Sequence, residues 1–212
     1  MAYIKNIMRE NIKKAEIDEF LWGEFERAGY GGVEITRTPL GTSVVIYAVR
    51  PGLIIGRGGE TIRNLTKILE EKFGLPNPQI SVAEIEIPEL NPYVMASRIA
   101  AALRRGIHFR RVGFWALNQI MEAGALGAEI IISGKLRTER SRVEKFRDGY
   151  IPKSGDPAMK CVKKAVAHVQ LKPGIFGIQV FIVQPNAKFP DEIELLEKRT
   201  EEAPAEGEGG ES

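Results

Sequence analysis

The spacing of apolar residues in the first half of the chain predicts a helix followed by two strands. Between residue 6 and about residue 28, apolar side chains recur three and four positions apart, as in an amphipathic helix that Gly29 would end. Val33–Arg37 and Ser43–Val49 alternate as strands, and residues 38–41 between them contain the proline and glycine of a turn. Apolar residues at both parities of the second strand indicate that both of its faces are covered.

A pair of helices separated by a glycine turn is predicted next. Pro51 opens a short helix, and the amphipathic segment after Gly59 closes at Phe73-Gly74. A third strand follows. Ile80 and Val82 share one parity of this strand and Ile85 shares the other with Ile87, which predicts a bulge at residues 83–84.

The turn between these two helices has the chemistry of an anion site. Its sequence is Gly56-Arg57-Gly58-Gly59. Glycine permits positive φ and close approach of another backbone. The N-terminus of the following helix presents unpaired N–H groups and the positive end of the helix dipole, which suit a phosphate. Arg57 adds a positive charge at the tip of the turn.

Three known phosphate-binding motifs contain a glycine-rich turn of this kind. The dinucleotide fingerprint fails because Thr61 occupies the position of the third glycine, and the nucleotide P-loop fails because no Gly-Lys-Ser/Thr follows. The G-x-x-G loop of a KH domain, which clamps a few nucleotides by their backbone, is the remaining interpretation, against the alternative of a plain helix–helix turn. In the KH interpretation, Ile54, Ile55 and Ile62 form the core beside the loop and contribute to the floor of the groove.

Three cations near the loop are candidate phosphate partners: Arg57, Arg63 and Lys67. For the last two, a solvated helix face is an equally good explanation. The order helix, strand, strand, helix, G-x-x-G, helix, strand predicts a KH domain of the bacterial (type II) arrangement over residues 17–88, preceded by a helical extension over residues 1–16.

Two further helices are predicted after this domain. Asn91 and Pro92 have the N-cap and first-position chemistry of a helix whose buried stripe passes through Ile99. A second helix is predicted from about Phe109 to Ala123. The junction of the two helices is strongly basic, which indicates an anion-binding cluster, although a solvated turn is the alternative. The cluster comprises Arg104, Arg105, His108, Arg110 and Arg111.

The last third of the chain is predicted to be mainly β. Glu129–Leu136 is an apolar strand, and the turn at residues 172–174 precedes an alternating strand. Val162–Leu171 fits a helix or a strand, and the turn after it favours a hairpin. A basic strand and loop supply further candidate RNA contacts: Lys135, Arg137, Arg140, Arg142, Lys145, Arg147 and Lys153. Phe114-Trp115 lies among basic residues and is expected to belong to the core, with a stacking platform as the alternative.

These elements predict an α+β fold class. The KH domain is followed by a C-terminal α+β domain over residues 89–190, with two helices on an antiparallel sheet. Residues 191–212 form a disordered acidic tail, with nine acids and two bases. Its expected role is solubility, and masking of the basic surface is the alternative.

Charge is distributed unevenly along the chain. The net charge is +2, yet residues 1–190 hold 28 Lys and Arg against 19 Asp and Glu. Residues 103–172 alone hold fifteen bases and six acids. A basic region of this density is the electrostatic feature expected of a protein that binds a polyanion.

Composition argues against several other classes of protein. No apolar run approaches the ~20 residues of a membrane span, and the N-terminus has no signal-peptide core, so a cytoplasmic protein without a membrane partner is expected. With one cysteine, Cys161, and two histidines, His108 and His168, neither a disulfide nor a metal site is expected. No cofactor and no small-molecule substrate are expected.

Four segments, in order, resemble a known family over residues 1 to about 185. They are Ile54 to Ile62, Phe109-Arg110-Arg111, Ser133-Gly134-Lys135-Leu136, and Gly174 to Val180. They resemble the universal third protein family of the small ribosomal subunit, and the Lys-Leu-Arg-Thr-Glu-Arg stretch is similar to the archaeal type.

The resemblance implies a function and partners. It implies a structural constituent of the small-subunit head that binds rRNA, contacts neighbouring head proteins and lines the mRNA entry channel. It also implies that the basic cluster on the first C-terminal helices grips incoming mRNA and helps to open its duplexes. The bacterial pattern there is Arg-Arg-x-x-Lys, and this chain supplies Arg110 and Arg111 but has Phe114 in place of the lysine.

Two alternatives remain at this stage. A free KH regulator would recognise a short single-stranded sequence away from ribosomes. A nuclease or lyase would require acidic metal ligands, whereas Glu139, Glu144 and Asp148 are better explained as spacers among bases. No catalytic residue is therefore predicted, and the chain is not expected to be an enzyme.

Overall fold

The structure, a computed structural model, describes residues 2–38, 41–187 and 189–190. The acidic tail predicted for residues 191–212 and the centre of the turn predicted at residues 38–41 lie outside the described residues. Among the described helices, none combines the length and the apolar composition of a bilayer-spanning segment.

The first half of the chain folds as three helices on a three-stranded sheet. Its elements are α1 (Ala2–Phe25), β1 (Tyr30–Thr38), β2 (Gly41–Ala48), α2 (Pro51–Ile55), α3 (Glu60–Phe73) and β3 (Pro78–Glu84). The strand order is β1-β2-β3, with β1 antiparallel and β3 parallel to β2. A 3₁₀ turn, Glu26–Ala28, follows α1 and ends at Gly29, as predicted, and the φ of Gly29 is left-handed at 72°.

Two details of this sheet differ from the prediction. Strand β2 is buried at alternate residues, including Val44 and Ile46, and only half-buried between them, because helices cover one face of the sheet. The predicted bulge at residues 83–84 is wrong. The β2–β3 register is unbroken from Thr42–Pro78 to Ala48–Glu84, and Ile85 lies beyond the strand end.

The second half folds as two long helices on a four-stranded antiparallel sheet. Its elements are α4 (Pro92–Arg104), α5 (Phe109–Glu122), β4 (Gly127–Gly134), β5 (Arg142–Gly149), a short α6 (Gly155–Lys160), β6 (Val162–Leu171) and β7 (Gly174–Val183). The strand order is β5-β4-β7-β6. The predicted α+β class and the β6–β7 hairpin are confirmed, whereas α6 was not anticipated.

Helices α4 and α5 lie on one face of this sheet and enclose its core. Ile99 and Ile120 of the helices, and Ile130 and Ile178 of the strands, are fully buried in the same cluster. A Cβ at Gly113 would lie 2.6 Å from the Phe146 ring, so α5 approaches β5 closely at that residue. This approach fixes which side of α5 remains outside the core.

The two halves are joined by polar contacts that centre on Asp18 of α1. One carboxylate oxygen accepts a hydrogen bond from the fully buried Tyr30 of β1, and the other accepts one from Tyr93 of α4 at 3.2 Å. The ring centroids of Tyr30 and Tyr93 are 5.9 Å apart. Burial, followed by the charge of Asp18, raises the pKa of Tyr93 to about 12, and burial and Asp18 also raise the pKa of Tyr30.

Asn91 makes a second connection between the halves. Its side-chain oxygen accepts a hydrogen bond from the Tyr93 N–H at 3.0 Å, which confirms it as the N-cap of α4. Its amide nitrogen donates to the Gly31 carbonyl of β1 at 2.8 Å. A single side chain therefore starts one helix and ties it to the other sheet.

Replacement of Asn91 by alanine is expected to destabilise the protein by about 2 kcal/mol, because the cap and the Gly31 bond each contribute about 1 kcal/mol. Urea unfolding monitored by circular dichroism would measure the loss. Asn91→Ser keeps an acceptor for the cap and has no amide donor, so it should lose about half as much. If Asn91→Ser were as stable as the parent, the bond to Gly31 would make no net contribution.

Candidate nucleic-acid interface

The glycine loop has a backbone that requires its glycines. Gly56, Gly58 and Gly59 have φ of 74°, 63° and 76°, and a short 3₁₀ turn, Arg57–Gly59, connects α2 to α3. The Gly56 N–H donates to the Gly52 carbonyl at 3.0 Å and ends α2. An L side chain is strained at each of these three φ values.

The glycines differ in what surrounds them. A Cβ at Gly56 would lie 2.1 Å from Thr61 Oγ1, so this residue is needed for packing inside the loop. A Cβ at Gly58 or Gly59 would meet nothing within 4 Å. The outer side of the loop is thus open, and a ligand can approach its backbone directly.

The first turn of α3 has no side-chain cap beside this open surface, because its N-cap is Gly59. The Glu60 N–H donates to the Arg57 carbonyl, whereas the first N–H groups of a helix in general lack partners within the helix. The exposed Arg57 supplies a positive charge at the loop, whereas the exposed Glu60 opens α3 with a negative one. A phosphate would therefore be held on the Arg57 side, by backbone N–H groups and the guanidinium together.

Apolar residues on both flanks of the loop have different exposures. Ile54 is fully buried and anchors α2, and Ile62 is half-buried. Ile55 is 41% exposed and Leu53 is 51% exposed, so the expectation that Ile55 is mainly a core residue is wrong. An exposed apolar ledge of this kind can contact bases while the loop holds their backbone. Leu53 was not singled out from the sequence.

Arg63 and Lys67 are both exposed and four residues apart on α3. They therefore point to the same side of that helix. Their placement is compatible with phosphate contacts along one strand of RNA, and equally with a solvated helix face.

The predicted basic cluster between α4 and α5 is divided by its contacts. Arg104 forms an ion pair with Glu26 at 3.0 Å, and the Arg105 side chain donates back to the Ala101 carbonyl of its own helix at 3.2 Å. These contacts turn Arg104 towards the first half of the chain and hold the Arg105 guanidinium near its helix end.

Within the same cluster, His108 is a structural residue. Its Nδ1 accepts a hydrogen bond from the Arg110 N–H at 3.4 Å and caps α5. Arg110 lies 3.8 Å from Glu144 of β5. Arg111 is exposed and, among the described residues, makes no ion pair. Arg111 is therefore the most available cation of this cluster.

The basic residues of β5 lie on two faces of an edge strand. Arg142 shares a parity with Phe146, which faces α5, whereas Lys145 and Arg147 point to the opposite face of the sheet. Lys153, predicted as a further RNA contact, forms an ion pair with the buried Glu129 of β4. Lys153 therefore compensates the negative charge of a buried carboxylate. The basic residues of β5 and of the loops around it do not form one continuous patch.

The remaining basic candidates lie in the β4–β5 connection. Lys135, Arg137 and Arg140 are exposed, and the Arg137 guanidinium lies 6.0 Å from the centroid of the Phe109 ring. They are accessible to a polyanion from the side on which α5 begins.

The prediction that Phe114 and Trp115 lie in the core is wrong. Phe114 is 58% exposed, with its ring 5.2 Å from that of Phe146, and Trp115 is 43% exposed. The side of α5 that carries Val112, Ala116 and Ile120 faces the sheet, so residues 114 and 115 face outward. Sequence spacing could have revealed this exposure. Phe114 and Trp115 follow Arg110 and Arg111 by four positions, so each aromatic residue lies on the same side of the helix as an exposed arginine.

Two family profiles match the chain. A KH domain matches residues 16–90, and the C-terminal domain of ribosomal protein S3 matches residues 99–182. The first range contains the glycine loop, and the second contains α5 and the four-stranded sheet.

Individual proteins similar to this chain over most of its length are also small-subunit ribosomal proteins. The chain is 52% identical to small ribosomal subunit protein uS3 of Methanobrevibacter smithii, over 93% of this chain and 79% of the relative. It is 53% identical to the protein of the same name in Saccharolobus solfataricus, over 90% of this chain and 82% of the relative. Similarity to archaeal proteins agrees with the archaeal type inferred from the sequence.

Proposed function

Because this chain belongs to the uS3 family of small ribosomal subunit proteins, we propose that it binds rRNA in the subunit head, lines the mRNA entry channel and grips incoming mRNA. The family membership makes it a structural, RNA-binding constituent of the small subunit and not an enzyme. Its partners are then rRNA, mRNA and neighbouring head proteins, in the cytoplasm.

The two basic surfaces have separate roles in this proposal. The open G-x-x-G loop with Arg57 holds the backbone of one RNA segment, and Arg63 and Lys67 add phosphate contacts beside it. The start of α5, with Arg110 and Arg111, meets mRNA. The observation that most directly supports mRNA binding is the availability of Arg111, an exposed cation that makes no ion pair among the described residues.

The mechanism is electrostatic. Lys and Arg side chains neutralise phosphates and release condensed counterions, so affinity does not depend on sequence and falls as salt rises. This behaviour suits a protein that must hold every mRNA that passes. Because Arg110 also lies 3.8 Å from Glu144, it is partly neutralised and should contribute less than Arg111.

The experiment uses small subunits that contain this chain. The protein first has to co-sediment with small subunits in a sucrose gradient that contains magnesium. It also has to remain bound after a moderate salt wash. Subunits with Arg110→Ala and Arg111→Ala together should then bind a long mRNA about tenfold more weakly, since each solvent-exposed ion pair contributes about 0.2–1 kcal/mol and a factor of ten corresponds to about 1.4 kcal/mol. An mRNA truncated before the entry channel should bind equally well to the variant and to the parent subunits.

Lys164→Ala is the matched control, because it removes an exposed cation from β6, the opposite edge strand, and is not among the candidate RNA contacts. It should leave both mRNAs unaffected. Equal losses for the long and the truncated mRNA would exclude a contact at the entry channel. A protein that stays at the top of the gradient would favour the free KH regulator.

A further inference from the structure

One cleft on the C-terminal half combines an exposed tryptophan with two arginines. It has a volume of about 420 Å³ and is lined by Ala102, Arg105, Ile107, Arg111, Val112 and Trp115. Trp115 and Ile107 are 43% and 40% exposed. Among the described residues that line the cleft, none is acidic.

The backbone fixes the composition of this cleft. Arg111 and Trp115 are four residues apart on α5, so they lie one turn apart on the same side of the helix. Arg105 and Ile107, at the end of α4 and in the loop after it, line the same cleft, and Arg105 donates from Nε to the Ala101 carbonyl at 3.2 Å. The exposed aromatic ring therefore shares the cleft with an apolar side chain and two arginines.

These are the groups that hold one nucleotide of a single strand. A base stacks on an exposed aromatic ring, and arginines bind the adjoining phosphate or stack on the base. A purely apolar protein segment would leave both arginines beside it without anionic partners. The charge of the cleft thus favours a nucleic acid as the occupant.

We propose that Trp115 is a stacking platform for one nucleobase of single-stranded RNA, with Arg111 and Arg105 on the flanking phosphates. This proposal rests on the proposed function, since it adds a base contact to the phosphate contacts of α5. Every base has a π-face, so the contact is tolerant of sequence. It also requires an unpaired base, and a stacked base is not available for pairing in a duplex.

The test measures Trp115 fluorescence in the full chain with Trp22→Phe, which removes the one other tryptophan. The probe is a short oligoadenylate, and an abasic strand of the same length serves as its control. Oligoadenylate should quench the fluorescence in a saturable manner. The abasic strand should bind through its phosphates without quenching. Equal quenching by both strands would overturn the stacking.

Affinity is measured by anisotropy of the labelled strands, in a Gly58→Asp, Gly59→Asp background in which the KH loop no longer dominates binding. Trp115→Leu should weaken oligoadenylate binding about tenfold, within the range of one base–aromatic stack, and leave abasic binding unchanged. Trp115→Phe should retain most of the affinity. Phe114→Leu is the matched control, because it removes an exposed aromatic residue outside the cleft and should change nothing.

The outcomes separate this inference from the proposed function. If Trp115→Leu binds oligoadenylate as the parent does, the stacking platform is wrong while RNA binding by the chain stands. If Trp115→Leu impairs assembly into small subunits without changing RNA affinity, the cleft contacts a protein and the platform is again wrong. If the parent binds neither strand at low salt, RNA binding by the free chain fails and the platform fails with it.

Discussion

The double substitution Gly58→Asp with Gly59→Asp is expected to weaken RNA binding by the KH loop about a hundredfold and to leave the fold intact. Two negative charges would face the phosphate, and a repulsion of about 2.7 kcal/mol corresponds to that factor. The fold survives because a Cβ at either position meets nothing within 4 Å. Positive φ at both positions costs roughly 1 kcal/mol each, and aspartate tolerates this conformation better than most residues.

The matched control is Gly58→Asn with Gly59→Asn, which has the same shape and backbone cost without the charge. Filter binding of single-stranded RNA at two salt concentrations, with circular dichroism for the fold, would compare the two variants. The asparagine variant should lose much less affinity. Equal losses would mean that loop shape, and not phosphate contact, determines binding. If the aspartate variant lost RNA binding and still cleaved RNA, the assignment as a non-enzyme would be wrong.

Replacement of Asp18 by alanine is expected to destabilise the protein by about 3 kcal/mol. Asp18 accepts hydrogen bonds from Tyr30 and Tyr93, and its loss would leave the fully buried Tyr30 hydroxyl without its acceptor. A buried donor without a partner costs about 1–3 kcal/mol, and the bond to Tyr93 is lost as well. Urea unfolding would measure the difference. Glu19→Ala, which removes the neighbouring exposed carboxylate, should change stability little.

The hydrogen bonds from Tyr30 and Tyr93 to Asp18 also predict how the stability of the protein changes at alkaline pH. The pKa values of Tyr30 and Tyr93 are raised in the folded state, to about 12 for Tyr93. Their contribution to stability is therefore complete below pH 10 and is lost as pH rises through the folded pKa values. The parent should lose stability between pH 10 and pH 12 more steeply than a Tyr93→Phe variant. Parallel curves for the two proteins would contradict this role of Tyr93.

Local chemistry allowed much of the fold to be predicted. The Asn91 cap, the turn before Gly174 and the alternation of the strand after it each depend on neighbouring residues, and the structure agrees with all three. The glycine loop was found for the same reason, since its positive φ values require glycine wherever the chain goes. The bulge at residues 83–84 failed because apolar residues beyond the end of β3 were counted as part of it.

Candidate site residues were predicted less evenly. Basic residues were easy to find, but their availability depends on partners distant in sequence. Glu129 neutralises Lys153 across 24 residues, and Glu26 pairs with Arg104 across 78. Trp115 was assigned to the core, whereas the buried side of α5, which carries Val112, Ala116 and Ile120, leaves Trp115 facing outward.

The sequence by itself determined the order of elements, the glycine turn between α2 and α3, the basic character of the second half and the family. Each of these follows from residue type and short-range spacing. The tertiary structure alone decided the junction at Asp18, the separation of the basic residues into bound and available groups, and the cleft in which Arg105 and Ile107 meet Trp115. These depend on which side chains distant in sequence meet, and chain periodicity carries no information about such contacts because they form only when the elements that carry them pack together.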